Sequence, residues 1–390
     1  MKNRAKTALI LVIFLLMQLL PWALVASPIF IFPEYDYNLD NIKSEIEELS
    51  KEILCMTAAS QYPFEYEKNP DGTYTVTGIE RTTIKKGQKY KLIYEQIIVP
   101  SIYKGKPVTK IGDEAFKSLS DLKTVLIPDT ITHIGSGAFE SCTSLKEINL
   151  PDSIVSIGSS AFKYCESLTE IALPRSITEI KEHTFTWCKN LQNVRLPSSI
   201  TKIEGYAFYC CLSLEKIILP KNLEYIGSRA FASCAISEIV IPDSVKEIEY
   251  WAFEDCANLK NITLPKFIRT ISDSVFKGTS IEHIVIPEGV TEIRSGAFSY
   301  SKLKTVVLNE GLTGISWRAF KNCTALESIV IPNSVRIIGY EAFCRCTSLS
   351  EIRFNGTVEQ WESIEKGEWW DSQMPSYTVI CTNGEINISE

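Results

Sequence analysis

Ile131-Thr-His-Ile134-Gly135-Ser-Gly-Ala138-Phe139-Glu-Ser-Cys142-Thr-Ser-Leu145-Lys-Glu-Ile148-Asn-Leu150-Pro151 is the stretch that decides the fold. Its pattern returns from one end of the chain's middle to the other. The phenylalanine recurs at Phe116, Phe139, Phe162, Phe185, Phe208, Phe231, Phe253, Phe276, Phe298, Phe320 and Phe343. Successive copies are 23 residues apart, or 22 in three intervals. A chain of 390 residues would otherwise suggest two or three ordinary domains. Eleven copies held to so tight a period point instead to a repeat architecture.

Each copy has three parts. The first is Leu-x-x-Ile-x-Leu, as in Leu168-Thr-Glu-Ile171-Ala-Leu173. Its last three residues alternate apolar, variable, apolar, the signature of a strand with one buried face. The second part opens on proline in most copies, for example Pro151, Pro174 and Pro197. Proline cannot donate to a ladder, so it ends the strand and turns the chain. A short apolar pair such as Ile154 and Ile157 follows, often with glycine after it. The third part, Ala-Phe and then Cys, is too short for a long helix and suits one helical turn or a 3₁₀ segment.

A unit of this size cannot bury its apolar side alone, but stacked units can. The expectation is about eleven stacked coils of 22–23 residues. A parallel sheet lies on one face, short strands and single helical turns on the others, with a cap at each end. With strands about 4.8 Å apart the stack is roughly 50 Å long.

These residues carry a resemblance. The string Ile-Gly-x-x-Ala-Phe-x-x-Cys-x-x-Leu-x-x-Ile-x-Leu-Pro resembles the BspA-like (treponemal-type) leucine-rich repeats. The flanks are similar to that family as well: Asp71-Gly-Thr-Tyr-Thr-Val-Thr-Gly78 before the repeats, and Phe354-Asn-Gly-Thr-Val-Glu-Gln-Trp361 after them. The resemblance implies a leucine-rich-repeat solenoid that is surface-exposed or secreted. Some members are adhesins for host proteins or other cells, and the family implies no common ligand.

The domain reading follows. Residues 1–26 form a secretory signal peptide: Lys2, Arg4 and Lys6, then an apolar run from Ala8 to Leu20, with cleavage after Ala26. The alternative, an uncleaved anchor helix, is disfavoured because the run is short for a span. Residues 27–60 are an amphipathic helical segment, with Leu39, Ile42, Ile46, Leu49 and Ile53 at a/d spacing. Docking on the cap or first coil is favoured over a dimerising coiled coil, because two heptads are too few. Residues 61–107 form a β cap with a hairpin at Asp71-Gly72. Residues 108–354 are the repeats. Residues 355–390 cap the far end, where Trp361, Trp369, Trp370 and Tyr377 cover the last coil. No second apolar run reaches spanning length, so the mature chain is expected to be soluble, without a membrane span.

The chemistry is bland. Net charge is −7. Loss of residues 1–26 takes three of the 40 basic residues and none of the 47 acidic, giving −10. That balance offers no counterion-release drive toward nucleic acid. Of twelve cysteines, eight share one repeat column with Leu119, Thr279 and Ser301. A column so filled is a packing site for reduced thiols. His133, His183 and His283 sit at different repeat positions and do not converge on a metal. Serine-elbow, phosphate-loop and zinc-protease motifs are absent. The chain is therefore read as non-enzymatic, with neither cofactor nor metal.

Solenoids bind on the concave strand face. The x of Ile-x-Leu is the centre of that face, and six consecutive coils fill it with Ile218, Val240, Thr263, Val285, Val307 and Val330. An exposed apolar stripe edged by polar residues marks an interaction surface. The preference of β-branched residues for strands accounts for it equally well. The function read from the sequence is an exported protein-binding solenoid, a surface or secreted adhesion protein with a host or cell-surface protein partner. The alternative is a structural envelope component without a discrete ligand.

Overall fold

A computed structural model describes residues 62–85 and 88–389, together with Lys51, Leu54 and Cys55. The expected signal peptide and most of the expected helical segment lie outside the described residues. The three described residues of that segment are helical. Cys55 is buried against Ile98, Tyr62 and Leu126, and Lys51 lies 3.8 Å from Asp129.

The repeats wind as coils carrying two parallel ladders. Ile-x-Leu forms the first, as Thr124–Leu126 beside Glu147–Asn149 and Glu238–Val240 beside Asn261–Thr263. The apolar pair after proline forms the second, two residues to a coil, as His133–Ile134 beside Ser156–Ile157. Register is the same throughout: each residue pairs with its equivalent in the next coil, such as Ile203 with Ile226 and Ile226 with Ile248. The repeat period thus becomes a translation, and like side chains form columns.

The Ala-Phe segment is a run of tight turns. Glu140 N–H donates to the Gly137 carbonyl at 3.0 Å, and Cys142 N–H to that of Phe139 at 3.1 Å. The intervening N–H groups of Gly137, Phe139 and Ser141 donate instead to Ser159, Ala161 and Lys163 of the next coil, at 2.7–2.8 Å. Alternate donors therefore close the turn and bind the neighbour, so the buried backbone is satisfied without a sheet. The left-handed residues two before and two after each phenylalanine produce this alternation. Gly137 and Ser141 have φ of 60° and 61°.

The eleven phenylalanines are fully buried and stand coil over coil. Ring centroids are 5.2–5.8 Å apart, and the rings are stacked at every step from Phe116 to Phe343. Phe64 closes the column edge-on against Phe116, and Trp370 closes it edge-on against Phe343.

The caps join the ladders. Phe64–Lys68 and Tyr74–Ile79 form the antiparallel hairpin expected at Asp71-Gly72, and Tyr74–Ile79 runs parallel to Lys106–Ile111. Gln96–Ile98 pairs with Thr124–Leu126. At the other end Glu365–Lys366 extends the second ladder and Tyr377–Cys381 the first. Residues 367–373 repeat the turn conformation of a coil, with Trp369 and Gln373 left-handed, so the stack has about twelve coils. Asp371 holds the phenylalanine place there, and its carboxylate accepts from the Tyr377 hydroxyl at 2.6 Å. Trp361, Trp370 and Tyr377 cover the last coil, with Trp370 in edge-on contact with each of the other two. Trp369 does not: it turns outward.

Candidate functional site

The strand face is built from the first ladder. In each Ile-x-Leu the flanking aliphatics point inward and the x residue points out, because successive side chains of a strand alternate. Ile239 and Ile241 are buried while Val240 between them is exposed. The same holds for Val285 and Val330, Val307 lies between buried Val306 and half-buried Leu308, and Thr263 is exposed in its turn. Exposure along the stripe falls from 87% at Ile218 to 42% at Val330. All six residues anticipated from the sequence therefore lie in one outward column. His283, Thr305 and Val285, Val307 stand in register in adjacent coils.

The ladder is interrupted within this stripe, between Thr263 and Val285 and again at its most exposed member. Lys216, Ile217 and Ile218 make no strand pairing, although Ile217 remains buried. The core column thus holds the coil in place where the backbone ladder opens.

Polar residues edge the stripe. Lys216 lies 3.1 Å from Glu238, and Lys304 lies 2.6 Å from Glu282, which holds the Glu282 carboxyl below the ordinary range. The His283 ring nitrogen shares a hydrogen with the Thr305 hydroxyl at 2.7 Å. These exposed pairs give the edge a fixed pattern of charge and little stability.

One exposed ring lies in a turn outside the strands and is not signalled by their pattern. Phe267 follows Pro265 by two residues and is 69% exposed. Equivalent positions carry Ser153, Ser199, Ser244 and Ser334, whose hydroxyls donate to carbonyls of the preceding coil at 2.6–2.7 Å. Phe267 gives up that bond without entering the core. Departure from the column's small polar residues is the signal that identifies it.

The cysteine column lies inside. Each Sγ donates to the phenylalanine carbonyl of the previous coil, as Cys142 to Phe116 and Cys165 to Phe139, both at 3.2 Å. Thr279 donates to the Phe276 carbonyl within its own coil at 2.8 Å. The column is thus a place for a small buried donor as well as for packing volume. Burial pushes the Cys142 and Cys323 thiols up to about 12. Thiols so protonated are poor nucleophiles.

A family model described as the BspA type leucine rich repeat region, in six copies, matches residues 109–236, 224–350 and 313–367. The chain belongs to this family. No curated protein matches it in sequence. Among solved structures, a leucine-rich repeat protein of Bacteroides ovatus is 22% identical, with 82% of this chain and 89% of that one covered and a TM-score of 0.53. The pneumococcal vaccine antigen PcpA is 18% identical, with coverage of 82% and 97% and a TM-score of 0.52. A leucine rich cell surface protein of Faecalibacterium prausnitzii is 27% identical over 78% of this chain and 96% of that one, with a TM-score of 0.40. The first two share the fold of this BspA-type solenoid.

Proposed function

We propose that the chain is an exported, non-catalytic protein-binding solenoid, and that its contact surface is the outward column Ile218, Val240, Thr263, Val285, Val307 and Val330. The observation that carries this reading is the exposure of those side chains on a face whose inward residues already seal the core. Apolar side chains free of packing duty and edged by ion pairs suit a protein interface with an apolar centre and polar rim. Phe267 adds a large ring to the same coil as Thr263. Export is supported by the basic and apolar segments of residues 1–26, and a role in adhesion at the cell surface by the resemblance of the repeats.

The test is a pull-down of cell-surface and host extracts with the wild-type chain and with a Val285→Lys/Val307→Lys double variant. Both substitutions sit on exposed positions, so folding is retained. Loss of at least tenfold in affinity for the captured protein is expected, and unchanged affinity in the folded variant rejects the surface. Fractionation of native cells with surface proteolysis tests the compartment.

A further inference from the structure

Four of the seven tryptophans, Trp187, Trp251, Trp317 and Trp369, lie on the flank formed by the phenylalanine turns rather than in the core or on the strand face. Toward the C-terminal end they form a track. Trp317, Tyr340 and Trp369 occupy three successive coils, with ring centroids 5.9 and 5.5 Å apart. Trp317 is 49% exposed and Trp369 is 61% exposed. The fold does not demand rings here. The position of Trp317 is serine in other coils, as at Ser136, Ser159 and Ser295.

Fixed polar groups run beside the rings. The Arg318 guanidinium lies 4.6 Å from the Trp317 ring centre and 6.0 Å from that of Tyr340. Glu341 holds it at 2.6 Å and takes Lys321 at 2.5 Å. The ring planes turn by 77° and 54° from one coil to the next, and one pre-oriented cluster of donors and acceptors lies beside the first two rings.

We propose that Trp317, Tyr340 and Trp369 bind a linear, uncharged polysaccharide laid along the solenoid axis, one sugar per coil. The C–H face of a sugar ring packs on an aromatic face, and its hydroxyls meet Arg318, Lys321 and Glu341. The pitch separates this ligand from a peptide. An extended peptide offers a side chain to one face only every ~6.7 Å and drifts out of step with rings 5.5–5.9 Å apart. The rise of a sugar in an extended β-linked glycan is close to the rise of one coil. The chain's charge of −7 and Glu368 next to Trp369 disfavour a polyanion.

The test is affinity electrophoresis of the full chain through gels cast with barley β-glucan, xylan or galactomannan. Retardation in at least one gel is expected. Trp317→Ala/Trp369→Ala weakens it at least tenfold, while Val285→Lys/Val307→Lys leaves it intact, which separates this track from the strand-face surface. Free migration in all three gels overturns the proposal, as does retardation that the double tryptophan variant retains. Capture of a protein that depends on the two tryptophans also overturns it. An unchanged unfolding midpoint checks the variant's fold. Where the pair lowers that midpoint, Trp369→Ala alone gives the same readout from the most exposed ring.

Discussion

The turns that carry the phenylalanines demand a left-handed backbone on either side of each ring, yet glycine fills few of those places. Trp187, Arg229 and Tyr300 all adopt φ between 52° and 62°. A side chain there costs about 1–2 kcal/mol, and the cross-coil hydrogen bonds offset it. Nothing in these residue types signals the conformation. Glycine is required more strictly after the second strand of some coils: a Cβ on Gly158 meets the backbone of Gly135 and Ser136 at 2.4–2.6 Å. Gly158→Ala is expected to destabilise by about 1–3 kcal/mol through overpacking, read from the denaturation midpoint. The cost stays local, because Lys181 and Glu204 hold the same place in the next two coils. The buried thiols of Cys142 and Cys323 make a second residue-level prediction. Their folded pKa, about 12 for Cys142 and Cys323, lies above the ordinary 9.0. The folded state therefore keeps protons that the unfolded state releases. That contribution is whole below pH 9 and is lost as pH rises toward 12. The unfolding midpoint should fall over that window, and less steeply in Cys142→Ala/Cys323→Ala. Iodoacetamide at pH 8 should label the column only after denaturation.

The unit of stability is the coil rather than the strand. Two- and three-residue strands cannot hold register by themselves, so the side-chain columns set it. Phe208 shows the arrangement: its ring stacks on Phe185 at 5.3 Å and on Phe231 at 5.4 Å. Phe208→Ala removes both contacts and leaves a void, and should cost about 3–5 kcal/mol. Tyr300→Ala, on an exposed ring, should stay within about 0.5 kcal/mol. Denaturant melts of the two variants check the contrast. The period and the Ala-Phe register make this column legible in the sequence. The open ladder at residues 216–218 is not legible, since Lys216-Ile217-Ile218 reads as well as any other copy. Its pairing depends on the backbones beside it.

At the scale of the molecule the stack behaves as a one-dimensional array, in which each coil answers only to its neighbours. Deleting residues 174–196, a full period of 23 residues, should leave a folded solenoid one coil shorter. Deleting residues 174–184, about half of one, should break the stack at that junction and split the single unfolding transition into two. Circular dichroism melts distinguish the two. The sequence by itself determined the coil, its repetition and which side chains face inward, because burial at a fixed spacing is a local property of each copy. It also placed the column Ile218 to Val330 on the outward side of the strands. Only the tertiary structure decided how the ends close, where Trp370 turns edge-on to Phe343 and Asp371 replaces a ring. Only the tertiary structure lined up Trp317, Tyr340 and Trp369. Both depend on which residues one coil brings against the next, and that is set by stacking across more than twenty residues rather than by any local pattern.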